Sequence, residues 1–132
     1  MLAVLWAAPA RARDSSVATV IEVDAGALRA LRLDRLAAGA RIELSLFSRR
    51  PIAIYLMDEA AFARLPRVQG TLLTGLVSGR MELRISVPRE GDYFVVFDNR
   101  ANRDRREVTL SIRISTAEKP ASSPVVTMIG RG

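Results

Sequence analysis

The densest cluster of residues able to do chemistry is the segment D-N-R-A-N-R-D-R-R, residues 98–106. It sets Arg100, Arg103, Arg105 and Arg106 beside Asp98, Asn99, Asn102 and Asp104. Guanidinium forks at this density suit a carboxylate or phosphate, because each planar fork can donate two parallel hydrogen bonds. The same segment read plainly is a solvated loop whose charges partly cancel. A calcium site built from Asp98, Asn99, Asn102 and Asp104 has the right oxygen chemistry, but the four neighbouring arginines oppose a cation.

Little else in the chain is equipped for catalysis. It has 132 residues with no cysteine and no histidine, which removes thiolate nucleophiles, the usual general base and the commonest metal ligand. The pairs Asp58/Glu59 and Glu90/Asp92 fall where a helix cap and a turn are expected, and they name no cleft for glycosidase chemistry. No phosphate-binding glycine loop occurs, and no cofactor and no enzymatic activity are expected.

The net charge is +6, from 20 basic against 14 acidic residues, and every basic residue except Lys119 is arginine. The arginines are spread along the chain without interleaved aromatics, so nucleic acid is not the expected partner. Residues 1–12, M-L-A-V-L-W-A-A-P-A-R-A, resemble the end of an export leader: an apolar stretch, a proline, then Ala10-Arg11-Ala12. Cleavage after Ala12 would start the mature chain at Arg13. No basic region precedes the apolar stretch, so the true start is expected upstream. The stretch is too short for a membrane span, which needs about 20 apolar residues. The expected location is periplasmic or secreted.

Positioning the arginine segment falls to a series of short apolar-alternating pieces separated by Gly, Pro, Asp and Asn, the spacing of an all-β domain. Strands are predicted over 17–23, 28–35, 40–48, 52–57, 71–77, 80–87, the 88–97 stretch after its turn, and 107–114. Ile42, Leu44 and Leu46 share one face of their strand, as do Met81, Leu83, Ile85 and Val87. Arg49-Arg50-Pro51 is predicted to turn the chain between two strands. Ser78-Gly79 is predicted to close a hairpin, with Gly75 marking a weak point or a bulge.

Residues 27–38 have helix-forming composition, but their leucines lack a helical stripe, and a strand over 28–35 is predicted. Asp58 should cap a short helix over 59–65 that Pro66 ends. Tyr93, Val95 and Phe97 alternate with Phe94, Val96 and Asp98, so this strand should be covered on both faces. A C-terminal tail, 116–132, is expected to carry little fixed structure.

The motif A-G-x-x-I-x-L-S-L, then I-x-I-Y-L-M-D, a short helix, an amphipathic strand and P-x-x-G-x-Y-x-V-x-x-D-N-R resembles bacterial pre-peptidase C-terminal and GOLD-like domains. Ala38-Gly39, Asp58, Pro88, Gly91, Tyr93 and Asp98-Asn99-Arg100 carry the resemblance, which spans about residues 17–115. It implies an all-β, two-sheet antiparallel β-sandwich, jelly-roll-like, of about eight strands with one short helix near 59–65.

The resemblance also implies an accessory, non-catalytic module that contacts proteins. The expected function is therefore an exported module that contacts a protein or an envelope component, through Asp98, Asn99, Arg100, Arg103, Arg105 and Arg106. The alternative is a carbohydrate-binding module stacking sugars on Phe47, Tyr55 and Phe94.

Overall fold

The computed structural model describes residues 2–6 and 14–116. Its elements are β1 (Leu2–Trp6), β2 (Asp14–Val23), β3 (Leu28–Leu36), β4 (Arg41–Asp58), α1 (Glu59–Phe62), β5 (Leu73–Ser86), β6 (Gly91–Asp98) and β7 (Arg106–Ser115). Of the expected leader, residues 2–6 form β1, and the remainder lies outside the described residues. So does the expected tail beyond Thr116.

The chain is all-β, but in place of an eight-stranded, two-sheet sandwich the described residues form one curled sheet of seven strands. The order is β1-β3-β6-β4-β7-β2, with β5 paired to β4. All pairs are antiparallel except β1 with β3.

The correction has one physical source. Arg49-Arg50-Pro51 and Ser78-Gly79 do not reverse the chain; they face each other across a continuous two-stranded ribbon. Ser48 pairs with Gly79 and Ile52 with Val77, so three residues of β4 oppose one of β5. Such an excess is absorbed as a bulge that bends the strand. Pro51, which has no N–H, is tolerated at such an irregularity, and Gly79 takes the left-handed conformation at φ +79°. The buried Ser48 closes the bulge by donating from Oγ to the Arg50 carbonyl at 2.6 Å.

Because β4 gains two residues rather than one, its inward parity is unchanged across the bend. Ile42, Leu44 and Leu46 before it and Ile52, Ile54 and Leu56 after it all point inward and are buried. The first half of β4 pairs with β7 and the second with β6. The two halves of the sheet thereby close over one main core, to which Ile21 and Leu110 contribute from one side and Leu31, Val95 and Phe97 from the other.

The outer face of the β3–β6 half has a second, smaller core. Leu28, Ala30, Met57, Phe94 and Val96 are covered there by Ala61 and Phe62 of α1. The Phe62 and Phe94 rings stack with centroids 3.9 Å apart. Residues 59–65 are helical only to Phe62 and continue as tight turns to Pro66. Asp58 caps the helix as expected, its Oδ1 accepting from the Ala61 amide at 2.9 Å.

Residues 28–36 are a strand buried on both faces, which is why no single leucine stripe exists. Leu28 and Ala30 face the small core while Leu31, Leu33 and Leu36 face the main one. A register shift between Leu33 and Leu36 returns Leu36 inward. At that shift Arg35 sits at φ +54°, held by its amide N–H donating to Asp92 Oδ1 at 2.8 Å. A left-handed L-residue costs about 1–2 kcal/mol. Arg35→Gly keeps that amide bond, and it is expected to raise the unfolding free energy in urea by about 1 kcal/mol after glycine's own entropy cost.

Candidate functional site

The arginine segment connects β6 to β7, and its first residues are fixed by what they touch. The Asp98 carboxylate accepts from the Tyr55 hydroxyl at 3.0 Å and from Arg100 through backbone N, Nε and Nη2, each at 3.0 Å. Burial alone would raise the Asp98 pKa. The bonds from the Arg100 side chain and backbone and from Tyr55 outweigh it and hold the carboxyl below its ordinary range. Burial, then the bond to Asp98, pushes the Tyr55 phenol up. Arg100 also donates from Nη1 to the Pro66 carbonyl at 2.8 Å, tying the loop to the segment after α1.

Asn99 is fully buried. Its Nδ2 lies 3.0 Å from the Val23 carbonyl, 3.0 Å from that of Asp24 and 2.9 Å from that of Asp104, so two hydrogens serve three acceptors. Its Oδ1 accepts from Asn102 Nδ2 at 2.7 Å. Its backbone N donates to Ala27 O at 2.9 Å, and its carbonyl accepts from Gly26 N at 3.0 Å. One side chain therefore anchors both the turn after β2 and the arginine loop.

The remaining arginines divide by exposure. Arg106, with its side chain 12% exposed, donates to Asp104 Oδ1 from Nε at 3.1 Å and Nη2 at 2.9 Å, and to the Pro51 carbonyl. Arg50, from the β4 bulge, meets the other oxygen of Asp104. Asp104 thus clamps the bulge to the loop. Arg105 pairs with Asp24 at 3.3 Å and Glu22 at 3.6 Å but stays 63% exposed. Exposed pairs of this kind are worth about 0–1 kcal/mol and open easily. Arg49 and Arg103 are exposed and make no ion pair among the described residues.

Folding thus joins two arginine clusters some fifty residues apart in sequence. Phe47, Arg49 and Arg50 of β4 and Arg105, Arg106 and Thr109 beside the loop line an open groove of ≈ 440 Å³. On the far side of the loop, Arg100 gathers with Arg64 and Arg67 around Pro66. Arg49, Arg50, Arg64 and Arg67, turn and helix-end positions in the sequence, are brought beside the 98–106 loop by the fold. The doublet Arg49-Arg50 beside a proline was the available signal. Asn99, counted among the contact residues, instead presents no surface.

Three of the four side chains considered for calcium have their oxygens engaged: Asp98 by Arg100 and Tyr55, Asn99 by Asn102, Asp104 by Arg50 and Arg106. Of the three aromatics considered for sugar stacking, Phe94 is buried under Phe62 and Tyr55 is half-buried on Asp98. Phe47, 44% exposed, stands alone.

No protein-family model matches the chain, and no curated protein matches it. Among solved structures, PliG of Aeromonas hydrophila, a periplasmic inhibitor of g-type lysozyme, superposes with a TM-score of 0.63 at 13% identity. The match covers 86% of this chain and 97% of that one. The pre-peptidase C-terminal domain of a Bacillus anthracis collagenase superposes with a TM-score of 0.52 at 12% identity, covering 85% and 94%. The resemblance that the motifs carried is therefore present in the fold.

If Asn99 is the anchor, truncating it removes the side-chain donor from the Val23, Asp24 and Asp104 carbonyls, of which only that of Asp24 keeps the Ala27 amide. Asn99→Ala is expected to lower the unfolding free energy by about 3 kcal/mol in urea titrations, with Asn99→Asp no better because a carboxylate cannot donate. A loss below about 0.5 kcal/mol, the size of an ordinary surface substitution, would contradict the assignment.

Proposed function

We propose that this chain is an exported, non-catalytic module that binds an acidic face of another protein through the arginine rim around the 98–106 loop. The observation that carries the reading is the pairing of a fixed scaffold with free charge. Asn99 and Asp104 lock the loop and the β4 bulge together, while Arg49 and Arg103 are exposed and make no ion pair among the described residues. A preorganised site loses less entropy on association, and exposed like charges steer an oppositely charged partner.

The shared fold with a periplasmic lysozyme inhibitor supports a protein partner and export. It also makes a g-type lysozyme the first partner to test. Residues 1–12 act as the leader in this reading, so export removes β1 and leaves β3 at that end of the sheet.

Protein recovered from the periplasm or medium should begin at Arg13 and should bind a purified lysozyme or an envelope protein identified by mass spectrometry. Arg49→Glu with Arg103→Glu should weaken that binding about tenfold or more, with the salt dependence reduced. Both residues are exposed and unpaired among the described residues, so the variant should melt like the parent. Unchanged affinity in the folded double variant would remove the rim from the contact.

A further inference from the structure

β5 is the edge of the curled sheet on the open side of its core. It pairs with β4 along its length and with no other strand among the described residues. Six apolar residues are packed against the main core yet only partly buried. Five of them, Leu72, Leu73, Met81, Leu83 and Ile85, lie on β5 or just before it. The hydrophobic interior is therefore least covered along this edge, where a row of backbone N–H and C=O groups also faces outward. Such an edge is a template for another strand.

The charges on β5 say which strand. The bend at residues 77–79 leaves 80–86, R-M-E-L-R-I-S, as the straight part, and its midpoint is Leu83. A second copy running antiparallel about that midpoint sets Glu82 against Arg84 twice, Arg80 against Ser86 twice, and Met81 against Ile85 twice on the core side. Directly opposed unlike charges stabilise a strand pair and like charges oppose it. Moving the centre one residue, to Glu82, opposes Glu82 to itself and Arg80 to Arg84. The pattern thus favours one self-pairing register and disfavours its neighbour.

We propose that two copies of this chain associate edge to edge through β5, antiparallel and centred on Leu83, continuing the sheet across a two-fold axis. This contact is separate from the arginine rim, and each can fail without the other.

The full chain should sediment at twice its 14.5 kDa mass. Arg84→Glu opposes two carboxylates at both ends of the contact and should weaken the dimer about tenfold or more. Adding Glu82→Arg to that variant should restore it. Because the chain has no cysteine, Leu83→Cys supplies a single thiol. Its two copies would face each other at about 4.5–5.5 Å between Cα atoms, within the span of a disulfide. Mild oxidation should therefore yield a covalent dimer, while Arg113→Cys on the outer face of β7 should form no covalent dimer. A monomer at the highest concentrations reached, a dimer indifferent to Arg84→Glu, or no faster cross-linking of Leu83→Cys than of Arg113→Cys would overturn the proposal.

Discussion

The length of β4 governs this fold. Eighteen residues at about 3.3 Å each would extend roughly 60 Å if straight, whereas a compact chain of this size has a radius of gyration of about 14 Å. The strand has to bend, and it does so where Pro51 has no amide to contribute and Gly79 of the partner strand can turn without a Cβ. Because the bend adds two residues to β4, every inward position stays inward. A single ribbon can then supply both walls of one core, with β7 and β2 joined to its first half and β6, β3 and β1 to its second.

The same bend builds the surface from which function is inferred. It thrusts Arg49 and Arg50 outward at the level of the β6–β7 loop, and Asp104 couples the two, one oxygen ion-paired with Arg50 and the other accepting from Arg106. Asn99 fixes the loop from beneath through the carbonyls of Val23, Asp24 and Asp104. Neutral hydrogen bonds inside hold the backbone, and charged groups stand outside. In the proposed function, this division gives Asp98-Asn99-Arg100 a mainly architectural part and puts the weight of contact on Arg49, Arg103 and Arg105.

Much of this was legible in the residues. The alternation at 42, 44 and 46 and at 81, 83 and 85, and the Asp58 cap, are local signals that tertiary context did not override. The continuous apolar run at 93–97 correctly gave a strand covered on both sides, with Phe94 and Val96 serving the small core. The two misread places share one cause: Gly and Pro mark a bulge as readily as a reversal, so 49–51 and 78–79 look alike whether the chain turns back or bends on. Only the cross-strand register, a long-range property, separates them. Asn99 was equally opaque, since a buried amide hub and an exposed polar contact have the same letter and the same loop around it.

The central claim, that β4 and β5 are each continuous through the bend, is tested most directly by cross-strand nuclear Overhauser contacts in the folded protein. The account predicts contacts between β5 and β4 on both sides of the bend, Gly75 to Ile54 and Leu83 to Leu44, with Ser48 close to Gly79. Contacts between residues 71–77 and 80–87, such as Leu76 to Met81, would mean that the chain reverses at Ser78-Gly79, and would contradict it.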